Sequence, residues 1–515
     1  MVTLAPPSPA ALAERIHARR WLTLGVLGLS LVIMGIDNFV LNVALPTLQE
    51  AFNASASELQ WMVDAYILVF AGLLLTMGAI GDRFGRARLL QAGLLVFGAG
   101  SIAATLVTTA TQLIAARAVM GFGAAMMIPS TLSILINVFP REERGRAIAA
   151  WAGMMGLGIG LGPITGGVLI VNFSWPAVFL VNVPGVIAAL ALGLYLVPDS
   201  RDPEHAALDF AGAALSTAAV LALVYGIIDA PRTGWTDPVI LGAFALAAVL
   251  AAAFGWRELH TSRPMLDFGL FRNRRMTFGV TAVGAAFFGL FSVIFGLTQY
   301  LQYVLDKSPL EAGEIMLPLA IGIPIGAGLS VRLVRRLGTR RVVSVALVLV
   351  AAVIGSVSTW TVSTEGWVVA LALICAAIPM ANVMAPSVDA ILGAVREDRA
   401  GVGSAVNLLI GQLAGALGVA VVGSVMNTVY GDRMADFVAK LPPQIGGPAS
   451  DSVGAAISIA AKQGGAAGQA LSAAARAGFT DALSAGAIVT AGVIVVGAVL
   501  VALFMPARPL PRAGS

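Results

Sequence analysis

Fourteen long apolar runs follow one another along this 515-residue chain, separated by polar connectors. Most are close to or above the roughly 20 residues that an α-helix needs to cross the hydrocarbon core of a bilayer. A membrane helix satisfies its backbone hydrogen bonds internally, so runs of this length predict helices. The runs cover residues 21–45, 59–80, 89–108, 112–138, 147–171, 177–197, 211–228, 238–256, 277–302, 312–331, 342–362, 367–392, 403–428 and 484–505. The predicted fold class is an all-α integral membrane protein.

The composition supports a bilayer as the environment of these runs. Hydrophobic residues make up 58% of the chain and charged residues only 11%, and the mean hydropathy is +0.91. An average soluble domain has about one quarter charged residues. A water-soluble fold cannot bury this much apolar surface, so soluble classes are excluded. The first run is too long for a signal-peptide core and lacks a convincing cleavage site, so we expect it to remain a span.

The basic residues are distributed unequally between the two sets of connectors. Of the 31 Lys and Arg residues, 24 fall in segments on the same side as the N-terminus, six fall on the other side, and Arg117 lies inside a span. Positive residues favour the cytoplasmic side of a membrane protein. We therefore expect both termini to be cytoplasmic. The net charge of +4 is then a topology signal rather than a nucleic-acid patch.

The connector 429–483 is the longest, and it is predicted to be extracellular. It contains apolar-periodic pieces such as "MADFVAKL" and "GQALSAAARAGFTDAL". These pieces favour a short helical hairpin, whereas the many glycines and polar residues favour an irregular segment. Both interpretations stay open at this stage.

The sequence gives little support for metal, cofactor or nucleotide chemistry. The single cysteine, Cys375, excludes an internal disulfide and a multi-cysteine metal site, and the three histidines lack ligand-like spacing. None of the three lysines follows a glycine, as the lysine of a phosphate-binding P-loop does. We expect no cofactor and no ATP-driven mechanism, and an enzyme embedded in the membrane has the least support.

The connector "GAIGDRFGRARLL" (78–90) has an unusual order of glycines and charges. The glycines allow a tight turn between antiparallel helices, and the aspartate can pair with an arginine. The order resembles the signature loop of the major facilitator superfamily, and a degraded copy, "RLVRRLGTRR" (332–341), lacks the aspartate. Two such loops suggest two homologous halves, as in many secondary transporters. The resemblance implies a conformational role for Gly78, Asp82, Arg83, Gly85 and Arg86.

The segment "LIAARAVMGFGAA" (113–125) places Arg117 inside the fourth span. An arginine there costs several kcal/mol unless it is paired, so we treat it as functional. Asp37 lies roughly 12 Å below the outer end of span one, and Asp64 and Arg117 lie roughly 8 Å below theirs. We expect the three charges to share a polar site. The resemblance to the superfamily's fourth-helix motif implies that Arg117 takes part in proton coupling.

The segment "GLGIGLGPITGG" (156–167) is rich in glycine but lies inside an apolar span without a lysine. Small residues there permit close helix packing, and Pro163 bends the backbone. The order also resembles the antiporter motif of superfamily exporters, which implies conformational roles for Gly158, Gly162, Pro163, Gly166 and Gly167.

Four further segments resemble signatures of the fourteen-span drug:proton antiporters. They are "DNFVLNVALP" (37–46), "LQWMVDAYILVFAG" (59–72), "SWPAVFLVNVP" (174–184) and "RPMLDFGLFRNR" (263–274). The resemblance covers almost the whole chain and implies a major facilitator fold of two six-helix bundles plus two additional spans. It predicts cytoplasmic ends (1–20, 506–515), bundles (21–197 and 277–505, the latter with loop 429–483) and a two-span insert (198–276).

Two departures from the family pattern concern charge. The first-span motif usually has threonine where this chain has Phe39, and antiseptic pumps of the family have acidic residues in span thirteen. There, "SAVNLLIGQLAGALG" (404–418) supplies only the amides of Asn407 and Gln412. Amides can bind a ligand by hydrogen bonds but add no charge, so we expect poor handling of dications.

The resulting hypothesis is a proton-coupled multidrug exporter. A carboxylate in an apolar cavity can hold either a proton or a cationic drug, so binding of one expels the other. We assign proton coupling to Asp37 and Arg117, and cation binding to Asp64 and its counterpart in the other half, Glu314. The expected partners are the bilayer, protons and lipophilic cations, with no nucleic acid and a monomeric protein.

Aromatic residues are predicted to line the substrate cavity. The candidates are Tyr66, Phe287, Phe288, Phe291, Phe295 and Tyr300, of which several could instead face lipid or the helix core. Three alternatives remain open for the protein as a whole: a lipid or metabolite exporter of this fold, a receptor or scaffold, and a purely structural Asp37–Arg117 pair.

Overall fold

The computed structural model describes residues 9–201, 209–261, 268–395 and 400–506, and its regular structure in these ranges is helical. The helices are α1 (Pro9–Phe52), α2 (Ala56–Phe84), α3 (Arg86–Thr105), α4 (Ala110–Val138), α5 (Arg141–Asn172), α6 (Ala177–Leu180), α7 (Asn182–Leu196), α8 (Phe210–Thr233), α9 (Pro238–His260), α10 (Arg274–Gln299, extended by a π-helical turn Tyr300–Val304), α11 (Pro309–Leu337), α12 (Thr339–Ser356), α13 (Gly366–Leu392), α14 (Ala400–Val438), α15 (Pro443–Asp451), α16 (Val453–Gln463) and α17 (Gly465–Phe504).

Fourteen of the described helical segments are long and apolar enough to cross a membrane, which confirms the predicted number of spans. Each predicted run overlaps one of them, with α6 and α7 together forming the sixth. This span is divided next to Pro184, whose ring removes a backbone donor from the first turn of α7. The segments 1–8, 202–208, 262–267, 396–399 and 507–515, which include parts of the predicted ends and linkers, lie outside the described residues.

Three helices continue farthest beyond the predicted apolar runs. They are α1, α14 and α17, with 44, 39 and 40 residues. The stems of α14 and α17 are joined by an ion pair between Arg433 and Asp481 (3.0 Å), and the short helices α15 and α16 lie between them. The helical interpretation of connector 429–483 is therefore confirmed. We call residues 429–483 the far-side hairpin.

Two sides of the molecule can be distinguished from the connectivity. An even number of crossings places the start of α1 and the end of α17 on one side, the termini side, and the connector between α1 and α2 on the opposite, far side. One apolar core is formed mainly by α1–α8 and a second by α10–α17. These two bundles meet along a seam.

The additional helices α8 and α9 pack against each other beside the seam. The hydroxyl of Ser57 on α2 donates to the carbonyl of Ile228 (3.3 Å), and that of Ser424 on α14 donates to the carbonyl of Ile227 (2.5 Å). Helix α8 therefore contacts both bundles.

Contacts across the seam are concentrated toward the far side. The amide of Gln302 donates to the carbonyl of Val43, and the hydroxyl of Tyr303 donates to the carbonyl of Pro46, both at 2.9 Å. Helices α5 and α11 also approach closely, because a Cβ at Gly313 would lie 2.6 Å from the carbonyl oxygen of Pro163. The structure therefore represents a state in which the bundles are closed against each other on the far side.

Candidate functional site

Asp37 and Arg117 form a buried ion pair inside the first bundle. Nη1 of Arg117 donates to Oδ2 of Asp37 at 2.6 Å, and the two side chains are 1% and 0% exposed. Removing one partner of such a pair leaves an uncompensated buried charge, which is strongly destabilising. The 2.6 Å contact confirms the prediction that Asp37 and Arg117 pair with each other.

Helix α2 supplies the remaining contacts of Arg117. Its Nε donates to the carbonyl of Met62 (3.2 Å), and its guanidinium lies over the ring of Tyr66, 4.4 Å from the centroid. The hydroxyl of Tyr66 accepts a hydrogen bond from Asn38 (3.4 Å). Tyr66 is fully buried under the arginine and does not line a cavity in this structure, so its place on the wall of a substrate cavity stays a prediction. Its ring instead stabilises the cation.

The second oxygen of Asp37 is bound by a residue that the sequence analysis missed. Nδ2 of Asn182 donates to Oδ1 of Asp37 (2.8 Å) and to Oγ of Ser101 on α3 (2.9 Å). Asn182 is the first residue of α7, directly after the break in the sixth span. The sequence signal was a polar residue two positions before a proline within an apolar run, in "FLVNVP". Asp37 is thus held between α4 and α7.

Asp64 does not join this site, which corrects the prediction of three charges in one place. Its side chain is 0% exposed, and both carboxylate oxygens lack a hydrogen-bond partner among the described residues. Met62 and Tyr66, one turn apart, face Arg117, whereas Asp64 is rotated from them by roughly 160–200° around α2. The prediction used only the depth of each residue in the membrane, which does not determine the helix face on which its side chain lies.

The face of α2 that carries Asp64 is directed toward the seam. Gln60, one turn earlier on that face, packs so tightly against α14 that a Cβ at Gly423 would overlap its amide. Apolar residues of α14, including Val419 and Ala420, are buried against the first bundle in the same region. Because Asp64 follows Gln60 by one turn on the same face of α2, its side chain is directed toward this apolar surface of α14.

The aromatic candidates separate into two groups. Phe287, Phe291 and Phe295 follow each other at one-turn intervals on α10 and pack at the seam, where Phe291 lies 6.0 Å from the ring of Phe39. Phe288 and Tyr300 belong to the core of the second bundle in this structure, so their place on a cavity wall stays a prediction. Tyr300 stacks on Trp360, and its hydroxyl donates to the carbonyl of Thr361 (2.6 Å).

The remaining cation-site candidates are more accessible. Glu314 is exposed on a face of α11 that it shares with Ile321 and Ile325, so it is not part of a buried pair. Asn407 and Gln412 are partly buried on α14, and Oδ1 of Asn407 has no hydrogen-bond partner among the described residues. With Gln60 opposite Gly423, Asp64 lies opposite about residue 419, so Gln412 is roughly 10 Å nearer the termini side.

The loop between α2 and α3 forms the predicted tight turn and ion pair. Nε of Arg86 donates to Oδ1 of Asp82 (2.7 Å), whereas Arg83 is exposed and lies over the ring of Phe84. Gly85 has φ +122°, and a Cβ there would lie 2.6 Å from a carboxylate oxygen of Asp199, beyond α7. Only glycine adopts this conformation without strain.

The glycines of α5 form two packing surfaces, which confirms the prediction of close helix contacts. One surface faces α1: a Cβ at Gly158 would lie 2.8 Å from Cα of Gly35, and one at Gly162 would lie 2.6 Å from Cβ of Phe39. Gly166 continues this surface, while Gly167 faces Leu310 on α11. The backbone at Pro163 also contacts α11. By contrast, Gly78 on α2 has room for a Cβ, whose nearest neighbour at 3.6 Å would be Pro129.

Comparison with known proteins gives consistent results for sequence and structure. The family model of the Major Facilitator Superfamily matches residues 27–419. The chain is 35% identical to the multidrug efflux pump LfrA of Mycolicibacterium smegmatis, over 95% of this chain and 96% of that protein. It is 34% identical to the methyl viologen resistance protein SmvA of Salmonella typhimurium (90% and 93%) and 32% identical to the tetracenomycin C resistance and export protein of Streptomyces glaucescens (82% and 79%).

Solved structures with a similar fold are transporters. A bacterial homologue of the human lysosomal transporter Spinster, in an inward-facing and unoccupied conformation, superposes with a TM-score of 0.66, 18% identity and coverage of 96% of this chain and 98% of that one. A D-xylose–proton symporter gives a TM-score of 0.62, 14% identity and coverage of 94% and 97%.

Proposed function

The chain belongs to the Major Facilitator Superfamily, and we propose that it is a proton-coupled multidrug efflux antiporter for lipophilic cations. The observation that carries the proposal is the buried Asp37–Arg117 pair, held by Asn182 and Tyr66 inside a membrane bundle. Ionisable groups at such depth are costly and serve function by default. The relatives named as multidrug efflux and resistance proteins support drug export as that function.

In the proposed cycle, Asp37 carries the proton and Asp64 binds the cation. In the part of the chain that the structure describes, the carboxylate of Asp64 has no hydrogen-bond partner, and an unpaired carboxylate in apolar surroundings is costly. A cationic substrate supplies the missing counter-charge when the bundles separate. Each inward proton contributes about 2.3 kcal/mol per 100 mV of membrane potential and about 1.4 kcal/mol per pH unit.

The conformational parts of the proposal are the seam and the glycine surfaces. Close packing of Gly167 on α11 leaves a smooth backbone contact along which the two bundles can rock, whereas Gly158 and Gly162 hold α5 against α1 within the first bundle. Phe287, Phe291 and Phe295 would become accessible to substrate as the seam opens. Flat lipophilic cations suit such a row, since each cation–π contact is worth roughly 0.5–2 kcal/mol.

Transport by inverted membrane vesicles tests this function. Vesicles containing the protein should accumulate a fluorescent lipophilic monocation when a proton gradient (acidic lumen) is imposed. A protonophore should abolish the accumulation, and ATP depletion at a constant gradient should leave it unchanged. Accumulation that survives the protonophore, or that needs ATP without a gradient, would contradict proton coupling.

We further propose that both termini are cytoplasmic, that the protein lies in the cell membrane as a monomer, and that the predicted segment boundaries define its bundles. In a background with Cys375 replaced by serine, cysteines at the exposed positions Lys440 and Lys462 should react with an impermeant thiol reagent on intact cells. A cysteine at Arg141 should react only after permeabilisation. The reverse pattern would overturn this topology.

Export of one lipid or metabolite is the second candidate, favoured by the relative named for tetracenomycin C resistance and export. A neutral substrate would not need Asp64. If Asp64→Asn leaves all transport unchanged while Asp37→Asn abolishes it, this candidate replaces the multidrug one.

A further inference from the structure

We propose that Asn182 is a positioning residue whose side-chain amide rotates with the protonation of Asp37, donating to the carboxylate and accepting from the carboxylic acid. The inference rests on the proposed proton-carrier role of Asp37. It concerns a residue to which no role was assigned from the sequence, and it explains why an asparagine is placed at the break between α6 and α7.

The geometry places the amide between two groups that can each exchange donor and acceptor roles. Nδ2 of Asn182 donates to Oδ1 of Asp37 (2.8 Å) and to Oγ of Ser101 (2.9 Å). Oδ1 of Asn182 is buried and has no hydrogen-bond partner among the described residues. A carboxyl group accepts when ionised and can donate when protonated, and a hydroxyl can do either. A buried acceptor without a donor is costly, so this arrangement has an unsatisfied group that a second orientation can use.

Protonation supplies the missing donor. When a proton binds to Oδ1 of Asp37, the Asp37–Asn182 hydrogen bond would place two donors against each other. Rotation of the amide by about 180° exchanges its nearly isosteric oxygen and nitrogen. Oδ1 of Asn182 then accepts from the O–H of Asp37, the hydroxyl of Ser101 rotates to donate to the same oxygen, and Nδ2 takes the place that Oδ1 held, so the unsatisfied group is exchanged and the two donors no longer oppose each other. No heavy atom other than those of the amide has to move.

Among the side chains bonded to Asp37, the amide of Asn182 is the one that can change from donor to acceptor. Helix α4 contributes Arg117, which remains a donor to Oδ2 in both states because guanidinium does not deprotonate in proteins. Helix α2 contributes the ring of Tyr66 beneath that guanidinium. Helix α7 contributes Asn182 and α3 contributes Ser101. Residues 147–172 of α5 and 276–299 of α10, which also pack against α1, include no Asp, Glu, His, Lys or Arg.

Infrared difference spectroscopy can observe the rotation directly. Protein reconstituted in lipid, with its asparagines ¹³C-labelled at the side-chain carbonyl, should show an isotope-sensitive amide band in the acid-minus-alkaline difference spectrum. The band should disappear in Asn182→Leu and persist in Asn42→Leu. Asn42 is a suitable control because it is 3% exposed on α1, the helix of Asp37, and its side-chain amide donates to the carbonyl of Asn38 on its own helix.

Three spectroscopic outcomes would overturn the inference: no isotope-sensitive band in the wild type, a band that persists in Asn182→Leu, or a band that is lost in Asn42→Leu as well. A band that vanishes only in Asn182→Leu supports it. The measurement does not need active transport, so a failure of the drug-export proposal would not mimic a negative result.

The pH profile of proton-dependent transport provides an independent readout. Asn182→Leu removes a donor to the ionised carboxylate and an acceptor for the protonated one, so we expect the midpoint of the profile to move upward by about one pH unit or less, since the donor to the charged state is the stronger. Ser30→Ala, a buried hydroxyl that bonds to its own helix on α1, should keep the wild-type midpoint. An unchanged profile in Asn182→Leu would overturn the role of Asn182 alone. An unchanged profile in Asp37→Asn would instead overturn the proposed function.

Discussion

The two bundles have corresponding helices but carry different chemistry. In the first bundle, α1 and α4 contribute the buried charges Asp37 and Arg117. By chain order, α10 and α13 are their counterparts, and residues 276–299 and 366–388 of these helices include no charged residue. They carry instead the seam aromatics of α10 and prolines at positions 379 and 386 of α13. A charged site in one bundle and an apolar surface in the other suggest a division between proton handling and substrate contact.

The largest effect on transport is expected when a buried charge of the first bundle is removed, so that this bundle resembles the second one. Asp37→Asn keeps the shape of the side chain but cannot titrate, so energised efflux should fall by about 100-fold or more. Arg117→Ala should also impair coupling, because it leaves Asp37 as an uncompensated buried charge. Transport is measured in vesicles, with the amount of folded protein checked by size-exclusion chromatography. Wild-type rates for Asp37→Asn between about pH 6 and 8 would transfer the proton role to Asp64 or Glu314.

The sequence was sufficient for the parts of this comparison that depend on local patterns. Apolar run length predicted the fourteen spans, and the high cost of a buried charge predicted that Asp37 and Arg117 would meet. It was insufficient where the direction of a side chain decides the contact. Asp64 was assigned by depth although its helix face is turned away, and Tyr66 was assigned to a cavity wall although it lies under the guanidinium.

Asn182 was missed for a related reason. An asparagine in an apolar span is a weak signal, and its partners, Asp37 and Ser101, lie more than 80 residues away along the chain. Such a contact depends on how three helices are arranged, which hydrophobic periodicity does not determine. The same limit explains why Phe287 and Phe288, adjacent in sequence, belong to the seam and to the second core.

The buried charges Asp37 and Arg117 lie in the first bundle. Removing one carboxylate from each bundle would show whether the first bundle also contributes more than the second to cation binding. Asp64→Asn should reduce export of a lipophilic monocation by roughly tenfold, because it removes the only proposed counter-charge at the seam. Export of a neutral substrate should change less. Glu314→Gln, which alters an exposed carboxylate on α11, is the matched variant and should have a smaller effect. Equal losses in the two variants would show that both bundles contribute charge.

A negative charge added to the second bundle should improve export of dications relative to monocations. Asn407 lies on the helix face of Gly411, which packs against Phe287, and Oδ1 of Asn407 has no hydrogen-bond partner within the described ranges. Asn407→Asp would therefore add a negative charge near the aromatic row, and resistance to a dication should rise by several-fold. The wild type should favour monocations such as simple quaternary ammonium compounds.

Methyl viologen, a dication, is a suitable probe because SmvA is named for resistance to it. Minimum inhibitory concentrations for methyl viologen and a monovalent antiseptic can be compared in cells with the wild type, Asn407→Asp and, as a control, Asn407→Gln. If the wild type already conferred more resistance to the dication than to the monovalent antiseptic, the proposed dependence of substrate range on the number of carboxylates would be wrong.

The two tight loops provide a comparison in which the bundles should behave alike. Gly85 and Gly338 both have positive φ, +122° and +81°, so an alanine at either position is strained. We expect Gly85→Ala and Gly338→Ala each to lower the free energy of unfolding by about 1–3 kcal/mol. Thermal unfolding in detergent, followed by tryptophan fluorescence, measures both. Gly85→Ala should be the costlier, because its Cβ would also press on Asp199.

The smallest effect is expected from the ion pair that only the first loop possesses. Asp82 and Arg86 are 29% and 16% exposed, so water screens part of their attraction. Such pairs contribute about 0.2–1 kcal/mol, and Asp82→Asn should therefore shift the unfolding temperature by only a few degrees at most. Arg335 occupies the matching place before Gly338, and the second loop forms its turn without an aspartate there. If Asp82→Asn destabilised the protein as much as Gly85→Ala, the pair would be essential to the turn, and the two loops could not be equivalent scaffolds. If it instead slowed transport while leaving the unfolding temperature unchanged, the aspartate would act in a conformational step that the second bundle performs without it.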